Sequence, residues 1–194
     1  MTDVFYDTEF VDDGVTVELV SFGMVSLPPH TGQLYYITAD DHTIDRVVAH
    51  PWLSQNVLPH LPVKVAYDHT RQTMDRAGRT HTPVKYWEWD TAHPDFALVV
   101  PKSVIRDEVR KFILARTDPQ LWAYFGAYDH VAMAQLFGPM VDLPQGIPMY
   151  TNEFMQLWRR AGNPPLPNKP KDTHNALADA AWLALAYMTV TAGQ

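Results

Sequence analysis

Val4-Phe5-Tyr6-Asp7-Thr8-Glu9-Phe10 is the stretch from which the rest of the chain is read. Val4, Phe5 and Tyr6 form an unbroken run of β-branched and aromatic residues, which predicts a short buried strand ending in Asp7. In an extended chain, residues i and i+2 point to the same side, so the Asp7 and Glu9 carboxylates can reach one cation cluster. A D-x-E pair arises by chance in a chain of this length roughly as often as not. Placement is what singles this one out: Phe5-Tyr6 before it and Phe10 after it bury the backbone and leave both acids at a strand edge.

Outward from that strand, Val15 to Leu27 predicts a second strand and Leu34 to Thr38 a third, joined by the turn Pro28-Pro29-His30-Thr31-Gly32. The opening is therefore expected to be an antiparallel meander of three strands. Ile44 to Leu58 predicts a helix interrupted at Pro51. From about Pro62 to Pro101 the pattern is irregular, and Val84-Lys85-Tyr86-Trp87-Glu88-Trp89 within it suggests an arm of strands. Helical spacing returns from Lys102 to Arg116 through Val104, Ile105, Val109, Phe112 and Ile113. Leu121 to Phe125 predicts a buried strand and Tyr128 to Phe137 a helix. Thr151 to Ala161 predicts another helix, capped by Thr151, with Phe154, Leu157 and Trp158 on one face. A proline-rich loop from Asn163 to Pro170 leads to a final helix over about Asn175 to Thr189. No internal repeat and no linker divides the 194 residues. Strands first, then alternation of helix and strand, predicts a single α/β domain with a mixed sheet, meander plus parallel strands, flanked by helices.

Composition bounds the function. A hydrophobic content of 46% supports one packed core rather than disorder. The start lacks a basic leader and a long apolar run, and Leu98-Val99-Val100 is stopped by Pro101 and Lys102, so a soluble cytoplasmic protein is expected. With Cys 0, any metal must be held by carboxylates, imidazoles or water. The net charge of -7 argues against gripping nucleic acid by bulk electrostatics. The charges are unevenly placed, however. Asp3, Asp7, Glu9, Asp12, Asp13 and Glu18 precede the first base, Arg46, and most basic residues lie between Lys64 and Arg116. That division suits acids that hold cations and bases that meet phosphates; an uneven solvated surface explains the charges alone equally well.

Two later carboxylates join the first pair. Asp129 follows the strand Leu121–Phe125 through Gly126-Ala127-Tyr128, at a strand end where open α/β sheets collect functional groups. Taken alone it also reads as a helix-start acid favoured by the macrodipole. In His174-Asn175-Ala176-Leu177-Ala178-Asp179, five helical steps turn roughly 140°, so the two outer residues cannot share a helix face. His174 is therefore placed at the helix entrance and Asp179 in the second turn, pointing inward. Ala178, Ala180 and Ala181 let that helix lie close to the sheet, where a carboxylate needs a partner: a metal or a hydrogen-bond network.

The order D-x-E, Asp, then H-x4-D resembles the DEDDh exonuclease superfamily. Phe5-Tyr6-Asp7-Thr8-Glu9-Phe10, Glu18-Leu19-Val20-Ser21-Phe22-Gly23, Gly126-Ala127-Tyr128-Asp129-His130-Val131-Ala132 and Gln135-Leu136-Phe137-Gly138-Pro139-Met140 look more specifically like ribonuclease AS, the polyadenylate-specific 3′–5′ exoribonuclease family. Gln156-Leu157-Trp158 and the proline-rich approach to His174 continue the likeness. It covers most of the chain outside about 62–100, which looks like an insertion or arm. The resemblance implies an RNase H-like sheet, single-stranded RNA with adenylate-rich 3′ ends as substrate, a homodimer, and a site for two Mg²⁺ ions with Mn²⁺ able to substitute.

On that reading Asp7 bridges the metals, Glu9 and Asp179 complete one shell, Asp129 holds the second, and His174 is the general base. Thr8, Glu18 and His174 are candidate substrate contacts, and Lys169 and Lys171 can steer phosphate. Tyr67, Arg71, Arg76, Arg79, Lys85, Tyr86, Trp87 and Trp89 give the arm the mixture of charge and rings that single strands need; packing against its own domain is the competing use. Two rival functions remain: an exonuclease of the same fold acting on DNA, and a non-catalytic nucleic-acid-binding module.

Overall fold

The structure, a computed structural model, describes residues 1–74, 80–171 and 173–192. Along the chain the elements are β1 (Thr2–Asp12), β2 (Val17–Ser26), β3 (Gly32–Thr38), α1 (Asp41–Ala49), α2 (Pro51–Asn56), β4 (Val63–Met74), β5 (Thr80–Trp89), β6 (Val99–Val100), α3 (Lys102–Leu114), β7 (Pro119–Ala123), α4 (Ala127–Gln135), β8 (Asn152–Glu153), α5 (Phe154–Arg160) and α6 (Ala176–Thr191). A six-stranded sheet has the order β6-β3-β2-β1-β7-β8. β1, β2 and β3 form the expected antiparallel meander, while β6, β7 and β8 add parallel pairings. The expected mixed α/β sheet flanked by helices is the observed architecture.

β1 is longer than its apolar opening suggested. It stays paired with β2 as far as Asp12, whereas its parallel neighbour β7 accompanies it only from Thr2 to Phe5. Asp7 and Glu9 therefore lie within a continuous strand, just past the point where one neighbour stops. The strand does not end at Asp7; the opening beside it is made by β7 leaving. Past Glu9 the register with β2 shifts, at a bulge.

The two faces of the sheet carry separate cores. Val4, Tyr6, Phe22, Met24 and Leu121 pack under Ile105, Val109 and Ile113 of α3 and under Met133 of α4. On the opposite face Phe5 packs with Phe154 of α5 and with Trp182, Leu183 and Ala186 of α6. Val11, Val20 and Ile37 meet Ile44, Val47 and Leu53 from α1 and α2. Each fully buried side chain of this size stabilises the fold by about 1.5–3 kcal/mol.

α6 lies unusually close to the sheet. A Cβ added at Gly23 would fall 2.4 Å from the Ala176 backbone, so only glycine permits this approach. Gly23 pairs with Asp7 in the β1–β2 register. One close contact thus seats the first turn of α6 beside the first catalytic candidate.

The helix expected over 44–58 is two helices. Pro51 begins α2, and His50, extended at φ -89°, closes α1 and accepts the Leu53 N–H through its side chain. Thr151 does not cap the following helix. Asn152 and Glu153 pair with β7, so α5 starts at Phe154 and Glu153 is its cap. The Thr151 hydroxyl instead bonds the Tyr6 hydroxyl at 2.5 Å and His130 Nδ1 at 3.0 Å.

β4 and β5 form a separate antiparallel ribbon. At its root Val63, Trp87 and Trp89 pack on the α1–α2 core, and Lys85 Nζ sits 5.3 Å from the Trp87 ring centre. Tyr67 and Tyr86 are exposed. Arg76 and Arg79, and the side chain of Arg71, lie outside the described residues. Among the described residues no helix is long and apolar enough to cross a membrane.

Candidate active site

The alternation along β1 sorts the site. Asp7 and Glu9 follow Phe5 on the face covered by α6, while Thr8 follows Val4 and Tyr6 on the other. Thr8 donates both its backbone N–H (2.8 Å) and its hydroxyl (2.6 Å) to Asp129 Oδ1. Asp129, the third residue of α4, is thereby tied to the middle of the D-x-E segment through the gap left by β7. Both donors of Thr8, a candidate substrate contact, are engaged in this link.

The turn that delivers Asp129 is built by a residue the sequence did not single out. Glu153 accepts the N–H groups of Phe125 (3.1 Å) and Gly126 (2.9 Å) as well as that of Met155 (2.9 Å). Phe125 has φ +59°, a left-handed conformation rare for an aromatic residue. A Cβ at Gly126 would stand 2.4 Å from Ala123 Cβ. This tight reversal ends β7 and starts α4 in one step.

At the other wall, His174 precedes the cap of α6, as its spacing from Asp179 required. Its φ is +70°, and its N–H donates to Asp179 Oδ2 at 2.7 Å. Asn175 caps the helix by accepting the Ala178 N–H at 3.1 Å. Asp179 falls in the first turn rather than the second, because the helix begins only at Ala176. Ligand atoms of Glu9, His174 and Asp179 all lie within 4.8 Å of one another. Trp52, from α2, meets the His174 ring edge-on at 4.7 Å.

Asp7, Thr8, Glu9, Asp129, His174 and Asp179 line one cavity of about 540 Å³. Phe10, Tyr124, Phe125 and Lys169 share its walls. Lys169 Nζ is 4.9 Å from the ring centres of both Tyr124 and Trp182. Lys171 is exposed in the loop before His174. Glu18 is not brought to this cavity. It bonds Thr43 at 2.7 Å, Lys102 at 3.4 Å and Arg46, and lines a separate cavity with Lys102 and Arg106. Burial pushes the Glu18 carboxyl up, but the Thr43 hydrogen bond and the two cations prevail and hold it below the usual range. Trp52, Phe125 and Glu153 had no sequence signal of their own, since each acts through a contact distant along the chain.

The electrostatics are those of crowded acids. Burial, then the charges of Asp129, Glu9 and Asp179, push the Asp7 carboxyl well above its ordinary value, with Lys169 opposing. Glu9 is pushed up to about 8 by burial and by Asp179 and Asp129. Asp129 rises to about 6 through burial, restrained by the two hydrogen bonds from Thr8. Burial lowers the His174 imidazole, against the pull of Asp179, which favours the neutral ring at physiological pH. Buried carboxylates that raise one another in this way are relieved by a multivalent cation. A set of four carboxylates with one imidazole fits hard divalent ions such as Mg²⁺ or Mn²⁺.

Comparison with known proteins agrees with this chemistry. A family profile described as the 3′–5′ exoribonuclease Rv2179c-like domain matches residues 2–191, a span that contains the β4–β5 arm. Two relatives from Mycobacterium tuberculosis, 3′–5′ exoribonuclease Rv2179c of strain H37Rv and 3′–5′ exoribonuclease MT2234.1 of strain CDC 1551, are each 36% identical over 178 residues. Those alignments cover 91% of this chain and 85% of each relative. The chain belongs to the Rv2179c-like 3′–5′ exoribonuclease domain family.

Proposed function

We propose that this protein is a 3′–5′ exoribonuclease that removes nucleotides from single-stranded RNA with two bound divalent cations and His174 as general base. The observation that carries the reading is the convergence of Asp7, Glu9, Asp129, Asp179 and His174, from three separate parts of the chain, on one cavity. Asp7, Glu9 and Asp179 are suited to hold one cation, and Asp7 with Asp129 the second. When bound, such cations neutralise the phosphate, favour ionisation of the attacking water and stabilise the departing 3′-oxygen.

The chain's own residues do the rest. Thr8 fixes the orientation of Asp129 through two hydrogen bonds. Asp179 accepts the His174 N–H and so anchors the backbone that carries the imidazole. The imidazole, kept neutral by burial, accepts a proton from the water that attacks phosphorus. A new P–O bond forms, the bond to the 3′-oxygen breaks, and a nucleoside 5′-monophosphate leaves a strand one unit shorter. Lys169, at the cavity wall, is placed to meet phosphate.

Mg²⁺ as the working cation, a preference for adenylate-rich 3′ ends and a homodimeric state extend this reading along the sequence resemblance. Incubating 5′-labelled RNA with Mg²⁺, Mn²⁺ or EDTA tests the core of it. A metal-dependent ladder shortening from the 3′ end is expected, and internal cuts or no cleavage would reject it. Sedimentation of the purified protein tests the dimer.

A further inference from the structure

Among the aromatic residues lining the cavity, most are already satisfied by neighbours. Phe10 stacks on Tyr128 at 5.7 Å, and Tyr124 packs against Phe154 and Trp182. Phe125 is different. It leans edge-on against Tyr124 at 4.6 Å and remains 62% exposed, opening onto the cavity that holds Asp7 and Asp129. Its backbone is also strained, at φ +59°. The strain is sustained from outside, because Glu153 binds the N–H groups of both Phe125 and Gly126. A phenyl ring held out into solvent by a strained turn gains little from burial, so folding alone gives no reason for it. Glycine or asparagine would make the same turn with less strain.

We propose that Phe125 is a stacking platform for a nucleobase of the RNA strand, adjacent to the scissile phosphodiester, with Glu153 as the residue that positions it. The proposal rests on the nuclease reading above. A ring with an open face beside a phosphate-binding site offers what a single-stranded base needs, a rigid surface that any base can cover. Sequence-tolerant stacking also suits an enzyme that must hold each new 3′ end in turn.

The test pairs a protein change with a substrate change. Phe125→Gly removes the ring while accepting the positive φ without strain, so its Tm should not fall below that of the wild type. Its KM on 5′-labelled oligo(A) should rise about tenfold, and by up to about a hundredfold, with a smaller effect on kcat. Phe125→Trp should recover most of the loss. On oligo(A) with an abasic nucleotide at either of the two 3′-terminal positions, the wild type should be impaired at one of them. There Phe125→Gly should add little further impairment, because ring and base act on each other. Penalties that multiply, or a Phe125→Gly KM equal to that of the wild type on intact RNA, would overturn the platform while leaving the nuclease intact. A wild type that shortens no RNA with Mg²⁺ or Mn²⁺ would instead remove the nuclease reading and this proposal with it.

Discussion

Asp7 is a buried carboxyl that faces the charges of Glu9, Asp129 and Asp179, with Lys169 as the opposing charge. Asp7→Asn is therefore expected to reduce RNA hydrolysis to background while raising the Tm of the metal-free protein, since one of the mutually repelling carboxylates is removed. Unchanged activity would take Asp7 out of the mechanism. His174→Ala should lower kcat by about 10²–10⁴, the usual contribution of a general base, with the far-UV spectrum retained. Glu9 gives the pH dependence. An acid whose folded-state pKa, here about 8, exceeds its ordinary value of 4.5 makes the folded chain bind more protons than the unfolded one. Metal-free stability is thus fullest below about pH 4.5 as far as this group is concerned, and declines as pH rises through 8. Thermal scans without metal should show a lower Tm at pH 8 than at pH 5.5, and Mn²⁺ should restore more at pH 8. A Tm that rose from pH 5.5 to pH 8 would contradict the crowding. At this scale the sequence was most informative where chemistry is local: i and i+2 on one strand, or a histidine just ahead of a helix. Glu153 was illegible because its work depends on bonds to Phe125 and Gly126, far away along the chain.

Between elements, the decisive contact is α6 against β2. Gly23→Val would place side-chain atoms where the Ala176 backbone now lies, 2.4 Å from an added Cβ. The expected result is a displaced start of α6, seen as weaker Mn²⁺ binding and a loss of activity larger than the loss of stability explains. Equal metal affinity in mutant and wild type would show that α6 tolerates the shift. Asn175→Ala removes the cap of the same helix and should destabilise by about 1 kcal/mol, measured by urea unfolding. The pattern of apolar residues located the meander and α3 well, because period and burial coincide there, whereas α6 is apolar around most of its circumference and leaves Leu185 and Met188 exposed. It failed where partners decide. β1 continues past Asp7 because β2 stays with it, and Thr151 is drawn from the helix end by Tyr6 and His130. Pro51 was visible as an interruption, but its result, a fresh helix capped by His50, follows from a side chain accepting the Leu53 N–H.

At the scale of the whole molecule, a net charge of -7 and a cavity of acids face a polyanionic substrate. On the proposed function, bound divalent cations would reconcile the two by turning the most acidic region into the one that attracts phosphate. The β4–β5 ribbon anchors to the α1–α2 core through Trp87 and Trp89, so two of its aromatic residues serve packing, while Tyr67 and Tyr86 remain exposed. The proposed function requires one cavity to join metal, His174 and the 3′ end of RNA. Its most direct test is a time course on 5′-labelled oligo(A), oligo(C) and oligo-dA with Mg²⁺, Mn²⁺ or EDTA, run beside His174→Ala. The predicted result is a metal-dependent ladder shortening from the 3′ end, fastest on oligo(A), absent in EDTA and nearly lost in the variant. Cleavage that survives EDTA, or that proceeds at the wild-type rate without His174, would contradict it.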